Sequence, residues 1–427
     1  MKIKIKKSIL SLFLIMLISF AFVGCNNKND ESINATANET KKEEATGETK
    51  KLVIAARGGS HVDAINSVKE SFEKENNVEI EILGLEADDL KQRVSLDSQN
   101  SEGSYDVVMI DDPWMSEWAE GDVLLNLSDN GVKKDDDFIE ASQNVGTYPY
   151  KEGDIYALPF NGNVMMFFYN EQLLKENSIE VPTDWESVLQ AAKIVKKTGK
   201  NGYIIRGQQG NPIVTDYLPI LWAYGGDVFD KDNNITIDSQ EAIDALNLYI
   251  ELYKNGENYE KNDLIASVSD GNGAMTLGWP SWFIQGSEST AQYSKIPGKK
   301  DKDSKENPAG MLGNWMIGVA SNTKNKDLAV KFVEFITSSD AQKTMAENGG
   351  TPTRHSVYQD KDLKEKFPYF ETMEQAIENG VVRPRLVEWS EMEEVLGTEL
   401  SAAVAGQKDA KTALTDAKAG MESINNK

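Results

Sequence analysis

A chain of 427 residues with 45 basic and 69 acidic side chains carries a formal charge of −24 at pH 7. That excess argues against nucleic acid or an anionic membrane face as the main partner, since both are met through basic patches. A single cysteine excludes an intrachain disulfide and thiol redox chemistry, and two histidines leave little material for a histidine-based catalytic site.

The chain opens on Lys2, Lys4, Lys6 and Lys7, runs apolar apart from its serines through Ser8–Gly24, and reaches its lone cysteine at Cys25. A basic start, a short apolar stretch and small residues at the end make a secretory signal, spanning 1–24. Phe22-Val23-Gly24-Cys25 resembles a bacterial lipobox, which implies that Cys25 is lipidated and becomes the mature N-terminus. Losing the four lysines takes the charge to about −28. Residues 25–50 are polar and small, with one Ile33 and no aromatic ring, so they predict a lipid-anchored flexible linker. The remainder exceeds the size, about 250–300 residues, at which single cores stop growing, and so predicts two lobes.

Leu52–Ala56, Val78–Leu83 and Tyr105–Ile110 read as strands, separated by helical spacing over Ala64–Lys74 and Asp88–Asp97. Strands alternating with helices imply βαβ units and a parallel sheet. Ligands of such sheets bind outside the carboxyl ends of strands, which points to Arg57-Gly58-Gly59-Ser60-His61 and Asp111-Asp112-Pro113-Trp114. Further on, Thr183 and Glu186 predict a capping box ahead of a stripe formed by Trp185, Val188, Leu189, Ala192 and Val195. Helices are expected near Ala242–Tyr253 and Lys326–Thr337, and an amphipathic one closes the chain through Leu414, Ala417, Met421 and Ile424. No internal repeat is visible. Asp230, Asp232, Asn234, Thr236, Asp238 and Glu241 have the spacing of a calcium loop, but the position needing a sharp glycine turn holds Ile235, and no metal site is assigned.

Tyr105–Leu127, Ile155–Asn170, Val181–Val195, Trp222–Asp230, Gly273–Trp282, Gly313–Asp340 and Thr351-Pro352-Thr353-Arg354 occur in an order that resembles extracellular solute-binding proteins of bacterial ABC transporters. The similarity is to the carbohydrate-binding family that includes maltose- and trehalose-binding proteins. It implies two α/β lobes joined by hinge crossovers, with a ligand cleft between them. Crossovers are placed near Phe160–Val164, Ile296–Gly298 and Ser338–Ala341. The amino-terminal lobe then takes 51–160 plus 298–340, and the other lobe 161–297 plus 341–427.

The resemblance also implies site residues. Trp315, with Asn314 beside it after Gly313, would present an indole to the apolar face of a sugar ring. Trp279 and Trp282 flank Pro280 and compete for a second aromatic position. Asp111 and Asp112 end a strand, where a carboxylate can accept two hydroxyl hydrogen bonds; Asp112 is the preferred choice, and one of the pair can instead cap the next turn. Arg354 offers a fork of donors for hydroxyls or a salt bridge between lobes. Tyr224, Trp389, Asn163, Arg57 and His61 are weaker candidates, and Trp222 reads as core.

These features predict a membrane-tethered receptor of an ABC importer that binds a neutral carbohydrate or polyol, without a cofactor and as a monomer. A polyamine or cation receptor on the same scaffold is the alternative that the acidity favours, and the tryptophan count disfavours it. A secreted carbohydrate-active enzyme is a second alternative. A glycosidase needs two carboxylates flanking the bond, and adjacent residues of a strand point opposite ways. An adhesin without a transport role is a third.

Overall fold

The computed structural model describes residues 49–283, 290–299 and 310–425, so Cys25 and positions 26–48 of the expected linker lie outside the described residues. Three strands, β1 (Lys50–Arg57), β2 (Val78–Leu85) and β3 (Val107–Asp111), alternate with helix α1 (Ser60–Asn76) and a helix at Ala87–Asp97. β1 runs parallel to both neighbours, as crossover helices require. α1 buries Ala64, Ile65, Val68 and Phe72 on one stripe and stops at Asn77, whose left-handed backbone (φ 48°) returns its N–H to the Glu73 carbonyl. β4 (Ala157–Asn161) joins the same sheet.

The chain then builds a second sheet from β5 (Met166–Asn170), β6 (Ile204–Ile205), β7 (Glu257–Asn258), β8 (Met275–Gly278) and β9 (Ala291–Ser294). Strand β10 (Trp315–Val319) returns to the first sheet and lies antiparallel between β3 and β4. The strand orders are β2-β1-β3-β10-β4 and β9-β5-β8-β6-β7. The result is the two-lobed α/β architecture expected from the sequence.

Each sheet has its own core. The first packs Phe72 of α1 against Phe332 and Phe335 of helix Lys326–Ile336. In the second, the two-residue period of β5 sends Phe167 to one face, with Trp185, Tyr217, Tyr249 and Trp389, and Met166 and Phe168 to the other, with Tyr358 and Phe370. The helix at Trp185–Lys196 starts with a capping box formed one residue later than expected. Asp184 accepts from Ser187 N at 2.7 Å, and Ser187 Oγ accepts from Asp184 N at 3.3 Å.

Two predicted crossovers need moving. Gly298 bridges Asp184, Met311 bridges Val381, and Leu312 bridges Val164, all next to the second sheet. The return to the first sheet therefore occurs at Leu312–Trp315 and not near Ile296–Gly298. Ala341 and Met345 of helix Ser339–Glu347 sit in the first core, so the chain leaves that lobe after this helix and not at Ser338–Ala341. The apolar face of that helix was too short a pattern to reveal its side. Among the described residues no helix is long and apolar enough to cross a membrane.

Candidate functional site

Strand ends and the loops beyond them, from both sheets, line a shared cavity of about 280 Å³. From the first sheet come the carboxyl end of β1 with the loop Arg57–His61, Asp111 at the end of β3, and Trp315 at the start of antiparallel β10. From the second come Arg206 after β6, Lys261 beyond β7, and Trp279, Ser281 and Trp282 after β8. Asn163 and Gly313 line it from the two segments that connect the sheets. The carboxyl-end rule for open sheets thus selects loops from both lobes. The volume is near the low end for small-ligand pockets, about 300–1,000 Å³.

Trp315 is aligned with Asp111 on β3 and Asn161 on β4. Its ring meets Trp114 edge-on at 5.7 Å and a tilted His61 ring at 5.4 Å. Burial first, then Arg57, pushes His61 down to about 4, so the imidazole is neutral near pH 7. On the opposite wall, Arg206 stands 5.0 Å and Lys261 5.5 Å over the Trp282 ring. Trp279 packs against Gly313, where an added Cβ would come within 2.4 Å of its ring atoms.

Behind the wall, Arg383 joins the lobes. Its Nη2 donates to Asp112 Oδ1 at 2.8 Å and Asp111 Oδ1 at 3.1 Å, and its Nη1 lies 3.9 Å from Glu393. Burial opposes the guanidinium charge, but Asp112, Asp111 and Glu393 outweigh it and hold Arg383 above its ordinary range. One cation serving three carboxyls leaves them short of charge. Burial pushes Glu393 up to about 7 and Asp112 up to about 6, with Arg383 offsetting only part of each shift. Arg385 adds donors to the carbonyls of Asp112 and Val145, and Ser116 Oγ donates to the Arg385 carbonyl.

The family model described as bacterial extracellular solute-binding protein matches residues 58–343, which takes in most of both lobes. The chain belongs to this family. A probable amino-acid ABC transporter periplasmic-binding protein of Sinorhizobium fredii is 22% identical over 88% of this chain and 89% of its own. An arabinooligosaccharide-binding protein of Halalkalibacterium halodurans is 23% identical over 75% of each. The maltose-bound MalE3 structure of T. maritima superposes with a TM-score of 0.78 at 25% identity, covering 87% of this chain and 99% of that one.

In this solute-binding protein the expected site residues separate into two groups. His61, Asp111, Trp279, Trp282 and Trp315 line the cavity, with Arg57 and Asn163. The others do not. Asp112, the preferred acid, points into the core as the anchor of Arg383, while Asp111 lines the cavity and also caps the next turn by accepting from Asp112 N at 2.9 Å. Asn314 is fully buried behind the wall, with both amide atoms lacking partners among the described residues. Arg354 is taken up by Asp135 at 2.6 Å, Asp137 at 3.1 Å and the Thr337 carbonyl, as in its salt-bridge alternative. Tyr224 packs beside the second core under Lys299, and Trp389 is wholly buried at the start of its helix. In the calcium-like segment Asp230 accepts from Asn234 and Asp232, and Asp238 pairs with Lys418, so these carboxylates serve the local turn and a tertiary contact. His355 meets Glu374 at 3.0 Å, away from the cavity.

Arg206, Asn211, Lys261, Ser281 and Arg383 line the cavity without having been singled out in the sequence. Arg206 directly follows a strand, so the carboxyl-end rule could have found it had β6 been longer than two residues. Arg383 lies in an unpatterned coil and gives no such signal.

Proposed function

We propose that this chain is the membrane-tethered receptor of an ABC importer, capturing a carbohydrate or polyol between its lobes and delivering it unaltered to permease subunits. The observation that carries this reading is the cavity itself: Trp315 on one wall faces a wall holding Trp279 and Trp282, with Asp111, Asn163 and Asn211 among the polar groups. Indole faces cover the C–H surface of a sugar ring while its hydroxyls find polar partners. The named arabinooligosaccharide-binding relative and the maltose-bound neighbour support the same ligand class. Cys25 is the proposed lipid attachment point, and the relatives' names describe binding rather than catalysis.

A thermal-shift screen across mono-, di- and oligosaccharides, polyols, amino acids and polyamines tests the ligand class. A ligand at a hundred times its Kd stabilises the native state by about 2.7 kcal/mol. Carbohydrate or polyol is the expected hit; a shift with polyamines or amino acids alone would refute the reading. For the tether, Cys25→Ser is expected to move the protein from the membrane fraction to the soluble exported pool, and retention on the membrane after a salt wash would refute lipidation.

A further inference from the structure

The cavity contradicts the charge of the chain. Against an overall −24, its wall presents Arg57, Arg206, Lys261 and Arg383 with one carboxylate, Asp111. Each of these arginines is held by a carboxylate, Arg57 by Glu86, Arg206 by Asp216, and Arg383 by Asp112 and Asp111. Lys261 has no ion pair or hydrogen bond among the described residues; its ammonium lies 5.5 Å from the Trp282 ring centre and the side chain is exposed. Burial and the nearby Arg57 hold it below the usual lysine range, with Glu86 working the other way.

The opposite side adds positive potential. The 17-residue α1 opens into the cavity through Gly58, Gly59, Ser60 and His61, and no side chain caps it. Gly59 holds φ 74° with nothing within 4 Å of a would-be Cβ, so the backbone there stays open. Free N–H groups of a helix start favour anions. A neutral ligand filling this space would strip water from the Lys261 ammonium and return no charge, which is costly. A polyamine would meet like charges.

We propose that the ligand is an anionic carbohydrate, its ring against Trp315 and Trp282 and its carboxylate or phosphate oxygens met by Lys261 and the amino end of α1. The inference rests on the carbohydrate reading above and replaces the neutral sugar expected from the sequence. A charge-assisted hydrogen bond to the oxyanion supplies Lys261 with the partner it lacks.

Calorimetric titration of the whole protein with matched sets tests it: glucose, glucuronate and glucose 6-phosphate, the galactose and mannose equivalents, and inorganic phosphate alone. One acidic member is expected to bind at least about tenfold tighter than its neutral counterpart, the scale of one charge-assisted contact. Whether uronate or phosphate ester wins identifies the oxyanion. The preference should shrink in about 0.5 M salt. It should also shrink at least about tenfold in Lys261→Gln and return in Lys261→Arg, with the unliganded melting midpoint as the control for folding. Neutral members binding as tightly as acidic ones would overturn the inference and leave the carbohydrate reading intact. Inorganic phosphate binding as tightly as a sugar phosphate would overturn it too, making the site one for the ion. Binding of amino acids or polyamines but of no carbohydrate would end both.

Discussion

Arg383 Nη2 lies 2.8 Å from Asp112 Oδ1, tying a coil between second-lobe helices to the end of β3 in the first lobe. Both residues are almost fully buried, so the pair works in a low-dielectric setting where losing one partner strands the other. Replacing Arg383 by Met is expected to destabilise the unliganded protein by about 3–5 kcal/mol. A second change, Asp112→Asn, should recover part of that loss by removing the stranded charge. Denaturant melts of the single and double variants check this; a double variant no better than the single would mean that the pair is not the source of the loss.

Glu393 gives the same network a pH dependence. Burial raises its pKa to about 7, above the unfolded value of about 4.3. A raised folded-state pKa favours the protonated carboxyl. The contribution is therefore fully present below the unfolded pKa and is lost as pH rises through the folded one. Stability of the native chain should fall between about pH 4 and 7 and level off above that, and Glu393→Gln, which resembles the protonated form, should flatten that fall. Thermal midpoints across the pH series supply the measurement. Parallel curves for the two proteins would assign the titration elsewhere.

Gly313 positions Trp279. A methyl group at Gly313 would come within 2.4 Å of the indole, so Gly313→Ala forces the ring or the strand entry to shift. Overpacking of this kind costs about 1–3 kcal/mol. The expected outcome is a modest drop in stability with weaker binding of the hit from the ligand screen. Unchanged affinity would show that Trp279 takes no part in recognition.

Pattern explains what could be read beforehand. βαβ alternation and the carboxyl-end rule lead to Arg57–His61 and to Asp111, because these depend on local period and chain direction. Which of Asp111 and Asp112 enters the cleft depends on the backbone turn after β3 and on pairing with β10, about two hundred residues away in sequence. Arg354 offers the same guanidinium fork to a sugar as to Asp135 and Asp137, and only tertiary placement decides between them. The cationic lining was hidden by the acidity of the whole chain, since net charge is a sum over surface and says nothing of one concave patch.

The central claim is that ligand is held between the lobes, and titrating the best carbohydrate into the native protein, Trp315→Ala and Trp282→Ala tests it most directly. Trp315 belongs to the first lobe and Trp282 to the second, and both line the cavity while remaining partly exposed. Truncating an aromatic anchor costs about 2 kcal/mol or more, roughly 30-fold in Kd. The account predicts losses of that order for both variants, with unliganded melting midpoints shifted far less than the about 3–5 kcal/mol of a truncated core tryptophan would cause. Full affinity in either variant would place the ligand on one lobe alone and contradict the claim.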